Sequence, residues 1–264
     1  MSAARTLSLC LEMLFTDRPF VERMEAASRL GYRAVEFWDW RDKDVLALAR
    51  AAARLGLTIA AMSGNRQHAL VDPADHAGLI EEMEQVFEVA HQLNCRHVMM
   101  LSDVLQADGS AAPTPPLSVG EKCESMVIAL RALAGRAEAA GVLLLLEPLN
   151  TARDHPGCFL NTSAMGLEIV RRVASRQVKL LYDIYHMSMM GEAVLTEIER
   201  HAKWIGYIHV ADMPGRHQPG TGTIDYHAVH DLLKRVGYEG FIGMEFSPLG
   251  PDEAAARVSL EIFV

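Results

Sequence analysis

Short apolar runs of five or six residues alternate along this chain with longer segments in which apolar positions recur every three or four residues. The short runs are Leu7–Leu11, Arg33–Phe37, Leu57–Met62, Arg96–Leu101, Val142–Glu147, Val178–Asp183, Ile205–Val210 and Phe241–Phe246. Several, such as VLLLLE, VKLLYD and FIGMEF, are apolar almost throughout, the pattern of a strand buried on both faces of a parallel sheet. The longer segments have the period of amphipathic helices. Phe20–Leu30 is apolar at 20, 21, 24, 27 and 30, and Val45–Leu55 and Ile80–Leu93 repeat the pattern; Met126–Ala140, rich in Ala, Leu and Arg, has good helix propensity, and Asp252–Phe263 is expected as the last helix. Gly31, Gly56, Gly141 and Gly237 each stand between a helical segment and the next strand, where a left-handed residue closes a helix.

Eight strand–helix units in 264 residues predict a (β/α)8 TIM barrel, with 1–264 as one domain. A doubly wound sheet would carry a glycine-rich phosphate turn after its first strand, but Glu12–Asp17 contains no glycine. The segment Gln106–Ser118, polar and rich in proline, is expected to be a mobile loop over one end of the barrel. No internal repeat or heptad array interrupts the scheme.

Composition narrows the function. The 25 Lys and Arg against 34 Asp and Glu leave a net charge of −9, which argues against nucleic acid as a partner because phosphate neutralisation needs clustered cations. No apolar run approaches the ~18 residues of a membrane span. The first residues lack the cleavage-site pattern of a secretory leader, so a cytoplasmic protein is expected. Cys10, Cys95, Cys123 and Cys158 have no metal-site or disulfide spacing and read as reduced, mostly packed thiols.

The chemistry is expected at the C-terminal ends of the strands, where barrel enzymes place their sites. Strand five ends in Glu147 and strand six in Asp183; His209 and Glu245 lie near the ends of strands seven and eight. The gaps of 36, 26 and 36 residues are each about one strand–helix unit, so the four side chains arise at similar height on adjacent strands. Taken singly, Asp183 reads equally as a helix N-cap and His209 as a hydrogen-bonded core residue. Together, three carboxylates at the ends of apolar strands would repel one another and lose solvation, and a divalent cation removes both penalties. Three oxygen ligands and an imidazole suit Mn²⁺, Mg²⁺ or Co²⁺, with about two coordination positions left for substrate oxygens.

Beyond these four, His186 lies one helical turn after Asp183, and Arg216 lies in the loop after strand seven, where it is suited to orient an anionic or polyhydroxylated substrate. Gly220-Thr221-Gly222 in that loop reads as a phosphate cradle or, more plainly, as a tight turn. Trp38, Trp40, Asn65, Arg66 and His68 follow strands two and three and read either as site walls or as rim packing. The methionines of His186–Met190 read as core, lid or an apolar interface.

The stretches LLLLEPLNTARDHPGCFLNT, LLYDIYHMSMMGE, YIHVADMPGRHQPGTGTIDY and GYEGFIGMEFSPLG, with the earlier FTDRPFVERMEAASRLGYRAVEF, resemble hydroxypyruvate isomerases of the wider xylose-isomerase-like superfamily. The resemblance implies a TIM barrel, a metal site of Glu147, Asp183, His209 and Glu245, and enediolate chemistry with Glu147 and Glu245 as the acid/base pair. It also implies substrate contacts from His186 and Arg216 and a homodimer or homotetramer. Three segments depart from the isomerase pattern. His209 stands where glutamine is common, in a form closer to ketose 3-epimerases, and Phe37–Trp40 and Ser63–Asn65 differ from the usual FLFP and FNTAPGD. The reading is therefore an isomerase of a small α-hydroxy carbonyl substrate, with a ketose 3-epimerase as the alternative. An endonuclease-IV-like phosphodiesterase would need more histidines and a basic face. A non-catalytic sugar-binding barrel would not need the acid/base pair. A nicotinamide-dependent dehydrogenase has no GxGxxG after a strand to support it.

Overall fold

A computed structural model describes residues 6–263; Met1–Arg5, the start of the segment read as lacking a leader, fall outside the described residues, as does Val264. The strands are β1 (Leu7–Cys10), β2 (Ala34–Phe37), β3 (Thr58–Ser63), β4 (His97–Met100), β5 (Leu143–Leu146), β6 (Val178–Asp183), β7 (Ile205–Val210) and β8 (Phe241–Met244). They pair in parallel in chain order, and β8 closes on β1 to complete the barrel. Around them run α1 (Phe20–Leu30), α2 (Val45–Leu55), α3 (His76–Leu93), α4 (Val119–Ala140), α5 (Ser163–Val173), α6 (Ile184–Met189), α7 (Val194–His201), α8 (Tyr226–Arg235) and α9 (Asp252–Phe263). The expected (β/α)8 barrel is present. No described helix is long and apolar enough to cross a membrane.

Strand alternation sets what faces the barrel axis. Ala34, Ala60, Ala61, Met99, Leu145, Leu181 and Tyr207 pack with one another, whereas Leu144, Leu146, Leu180, Tyr182, Ile208 and Ile242 join the larger core beneath the helices. Two residues beyond Leu145, Leu181 and Tyr207, the same face presents Glu147, Asp183 and His209, and Glu245 follows on β8. Register completes the alignment: Asp183 is opposite His209, and His209 is opposite Gly243.

Element ends differ from the sequence reading for local reasons. β5 and β8 stop at Leu146 and Met244, so Glu147 and Glu245 stand one residue past their strands. Both still donate their backbone N–H to the neighbouring strand, to the carbonyls of Met100 (3.0 Å) and Val210 (3.1 Å), and are thereby held as a last rung. α4 starts at Val119, seven residues before the expected Met126. A capping box between Ser118 and Glu121 nucleates a first turn whose outer residues are too polar to show the apolar period. Gly31, Gly56, Gly141 and Gly237 all have positive φ, as their positions predict, and Asn94 and Ala174 close α3 and α5 the same way without a glycine to mark them. The four cysteines are free, with Cys123 half-buried and the others buried. Met187 is buried, and Met189 and Met190 pack against the core, so the methionine run is core packing.

Candidate active site

Glu147, Asp183, His209 and Glu245 converge inside the mouth of the barrel, each less than a tenth exposed. His209 Nδ1 faces one oxygen of every carboxylate: Glu147 Oε1 at 3.3 Å, Glu245 Oε2 at 3.5 Å and Asp183 Oδ2 at 3.9 Å. Asp183 caps a helix and also faces the cluster. Its Oδ1 caps α6 by accepting the N–H of His186 at 2.7 Å, while its Oδ2 faces the cluster. Glu245 is fixed on both oxygens, by Trp38 Nε1 at 2.7 Å and by the Arg216 guanidinium at 2.6 Å. Trp38 is therefore a wall of the site. Trp40 packs at the rim against the core with Arg41 over its ring.

His186 also enters the cluster. Ligand atoms of Glu147, Asp183, His186 and Glu245 all lie within 4.8 Å of one another. The Asn150 amide settles the His186 tautomer. Its Oδ1 accepts from the backbone N–H groups of Arg153 and Asp154, so its Nδ2 donates to His186 Nδ1 at 2.6 Å. The His186 proton is then on Nε2, which points toward Asp183 Oδ2, 3.7 Å away. Burial, reinforced by Arg216, holds His186 well below the usual imidazole range, so it is a neutral N–H donor.

The electrostatics of the cluster suit a cation. Burial, with Glu147 alongside, pushes the Asp183 carboxyl up to about 7. Burial acts in the same sense on Glu245, but His209 and Arg216 outweigh it and hold that carboxylate below its ordinary range. Burial would lower His209, yet Glu245 and Glu36 raise it well above its usual value. Three buried carboxylates and one imidazole nitrogen form a hard, oxygen-rich donor set that fits a divalent cation. Either histidine would have to change its protonation to serve such an ion: His209 by releasing a proton, and His186 by giving up the tautomer that Asn150 imposes.

Sequence reading missed Glu36. It is buried on β2 beneath His209, with Oε1 3.1 Å from His209 Nε2, and the Tyr207 hydroxyl donates to Oε2. Neither Glu36 Oε1 nor His209 Nε2 has a well-aligned hydrogen bond, so they face each other as an ion pair. The signal was present: Glu36 is a carboxylate in an apolar strand, on the same inward alternation as Ala34.

A cavity of about 390 Å³ opens above the cluster. Its roof is the loop after β4, where Gln106–Gly109 bend over the mouth. The expected loop is thus where it was placed, and it is tied down: His155 Nδ1 donates to the Gly109 carbonyl at 2.9 Å and Ala111 N–H to the Pro156 carbonyl at 2.9 Å. Arg216 reaches in from the loop after β7 with φ +57°, an uncommon conformation for a non-glycine residue that marks a locally strained, over-determined site. Asp212 over-determines it. Its carboxylate accepts the N–H groups of Met213, Gly220, Gly222 and Ile224 at 2.9–3.1 Å. The glycine amides of Gly220-Thr221-Gly222 are spent on that side chain, so the segment is a turn and offers no phosphate cradle. Asn65 is structural, bonding the Leu101 backbone and the His68 carbonyl, and His68 faces buried Glu82. A second hollow of about 530 Å³ lies at the N-terminal ends of β5–β8, the end of a barrel that serves stability.

Residues 24–263 match the model of the xylose isomerase-like TIM barrel family. The chain is 31% identical to 2-oxo-tetronate isomerase of Cupriavidus necator over 90% of its length and 91% of that protein's. It is 29% identical to hydroxypyruvate isomerase of Escherichia coli, covering 94% of this chain and 95% of that one. Among solved structures, a family 2 AP endonuclease from Brucella melitensis superposes with a TM-score of 0.89 over 97% of this chain and 98% of its own, at 24% identity, a likeness of fold.

Proposed function

The chain belongs to the xylose isomerase-like TIM barrel family, and from that premise we propose that it isomerises a small 2-oxo-3-hydroxy acid of the hydroxypyruvate or 2-oxo-tetronate kind through an enediolate. The observation that carries this reading is the convergence of Glu147 and Glu245, from opposite sides of the cluster, beneath one small cavity in a chain so similar to two such isomerases. Glu147, Asp183, His209 and Glu245 would hold one divalent ion of the Mn²⁺, Mg²⁺ or Co²⁺ class. When bound, that ion supplies Lewis-acid stabilisation of the charge that develops on the substrate oxygens.

The chain's own groups move the protons. One glutamate removes the proton from the carbon beside the carbonyl and the other delivers a proton to the former carbonyl carbon, while the hydroxyl proton passes to the former carbonyl oxygen, so that carbonyl and hydroxyl exchange places. Arg216 fixes Glu245 by its 2.6 Å contact and adds positive charge beside the enediolate. His186, neutral and with its proton on Nε2, donates to a substrate oxygen. Trp38 and the Gln106–Gly109 roof keep water from the reactive intermediate.

The test uses metal-loaded protein in D₂O with hydroxypyruvate, followed by NMR. Wild type is expected to exchange the carbon-bound proton and to form tartronate semialdehyde. Glu147→Gln and Glu245→Gln should keep the wild-type circular dichroism spectrum and lose turnover by ~10²–10⁴-fold, the usual worth of general acid/base catalysis. Near-wild-type rates in both variants would overturn the assignment. The same assay on ketopentoses and ketohexoses reads the epimerase alternative directly, as proton return to the opposite face of the same carbon.

A further inference from the structure

Arg66 is a cavity-lining cation whose charge the isomerase mechanism above leaves unused. It follows β3, and in a closed eight-stranded barrel β3 lies across the mouth from β7, the strand that carries His209. Its backbone is fixed from several directions. Glu82 of α3, itself buried, accepts the N–H groups of Arg66 at 2.8 Å, Gln67 at 3.1 Å and His68 at 3.2 Å. Asn65 ties the same turn to the Leu101 backbone. Gly64 passes so close to β4 that a Cβ there would lie 2.7 Å from both Val98 and Met100.

The Arg66 side chain contrasts with this fixed backbone. Among the described residues its guanidinium makes no hydrogen bond and no ion pair. Glu82 already holds Arg41 at 2.7 Å. Asp39, which feels the Arg66 charge, is paired with Arg41 at 3.0 Å. The other basic groups at the cavity are committed: Arg216 to Glu245, His155 to the Gly109 carbonyl, and His186 to a neutral tautomer. A half-buried guanidinium on a rigid turn, with its donors unspent, is built to receive a planar anion in bidentate fashion.

We propose that Arg66 binds the carboxylate of the substrate, with the reacting carbons directed across the mouth to Glu147 and Glu245. The ligand class is a short 2-oxo or 2-hydroxy carboxylate, as opposed to a neutral ketose. The proposal rests on the isomerase reading for the reaction, but the carboxylate contact is measurable without turnover.

The experiment compares metal-loaded wild type with Arg66→Met and Arg66→Lys. Hydroxypyruvate and its neutral counterpart dihydroxyacetone, in which a hydroxymethyl group replaces the carboxylate, are followed by steady-state kinetics and solvent deuterium exchange. Binding of glycerate, a non-reacting 2-hydroxy acid, is titrated calorimetrically, and thermal melting monitors the fold. Arg66→Met is expected to raise the hydroxypyruvate KM and the glycerate Kd by about 10–100-fold, the worth of a charge-assisted contact, with exchange on dihydroxyacetone within about twofold of wild type. Arg66→Lys should recover part of the binding, because a point charge replaces the fork. Unchanged glycerate affinity in Arg66→Met, or equal losses on the charged and neutral substrates, would overturn the proposal. Should wild type turn over neither compound, the isomerase reading falls separately, and the glycerate titration still decides the role of Arg66.

Discussion

At the scale of single residues, Glu36 explains how His209 is aimed. A histidine that ligates a metal through one ring nitrogen commonly offers the other to a carboxylate, which fixes the ring and raises its basicity. Glu36 is in that place, with the Tyr207 hydroxyl on its other oxygen. Gly243 makes the room: a Cβ there would lie 2.6 and 2.7 Å from the two Glu36 oxygens and 2.7 Å from His209 Cδ2. Glu36→Gln is therefore expected to fold normally and to weaken Mn²⁺ binding by about 10–100-fold, read by titration against the free-ion electron paramagnetic signal. Undiminished affinity would mean that packing alone aims His209. The four strand-end residues were legible because each lies at or next to the end of an apolar run, a signal of position along one strand. Glu36 serves His209 from a strand far away in sequence, and only the closed barrel brings the two together. Asn150 and Asp154 were invisible for the same reason: their effect on His186 and Tyr185 is a matter of hydrogen-bond direction, which residue type does not encode.

At the scale of elements, periodicity was legible wherever one face packs. α1 and α2 begin and end at the expected residues because their apolar stripes run to their ends, and α9 matches as well although it opens on the acidic Asp252 and Glu253. α3 and α4 begin earlier than their apolar periods, at an initial 3₁₀ turn and a capping box that polar side chains build. The loop after β7 shows the converse. Its Gly220-Thr221-Gly222 reads as a turn from residue type alone, while residue type does not show that Asp212 organises it. Asp212→Asn keeps one acceptor oxygen and removes the other, so one pair of N–H groups, Gly220 with Gly222 or Met213 with Ile224, loses its partner. The expected cost is about 2 kcal/mol of stability, read by chemical denaturation, for hydrogen bonds to a charged acceptor. Because the loop also holds Arg216 at its positive φ, turnover should fall as well, while Mn²⁺ affinity stays near wild type. A normal rate with reduced stability would confine Asp212 to a structural role.

At the scale of the whole molecule, the charge of the site is coupled to the pH dependence of folding. The folded protein raises Asp183 from its usual 3.8 to about 7, through burial and then Glu147, and raises His209 well above 6.5, burial being outweighed by Glu245 and Glu36. Both groups bind protons more tightly when folded. The stability they contribute to the metal-free protein is full below their unfolded values and is lost as pH rises through the folded ones. For Asp183 that loss runs from about pH 4 to about 7. A cation in the cluster must displace the same protons. Binding at pH 6 should release close to two, one from each group, and binding at higher pH should release fewer, as Asp183 loses its proton around pH 7 before the ion arrives. Calorimetry of Mn²⁺ binding in buffers of different ionisation enthalpy counts them directly. Mn²⁺ affinity should therefore rise with pH, more steeply below pH 7 than above it. The gap in melting temperature between metal-loaded and metal-free protein, at fixed free Mn²⁺, should widen from pH 5 to 8. A gap that stays constant over that range, with no protons released, would show that the ion binds away from Asp183 and His209 and would remove the cluster from the metal site.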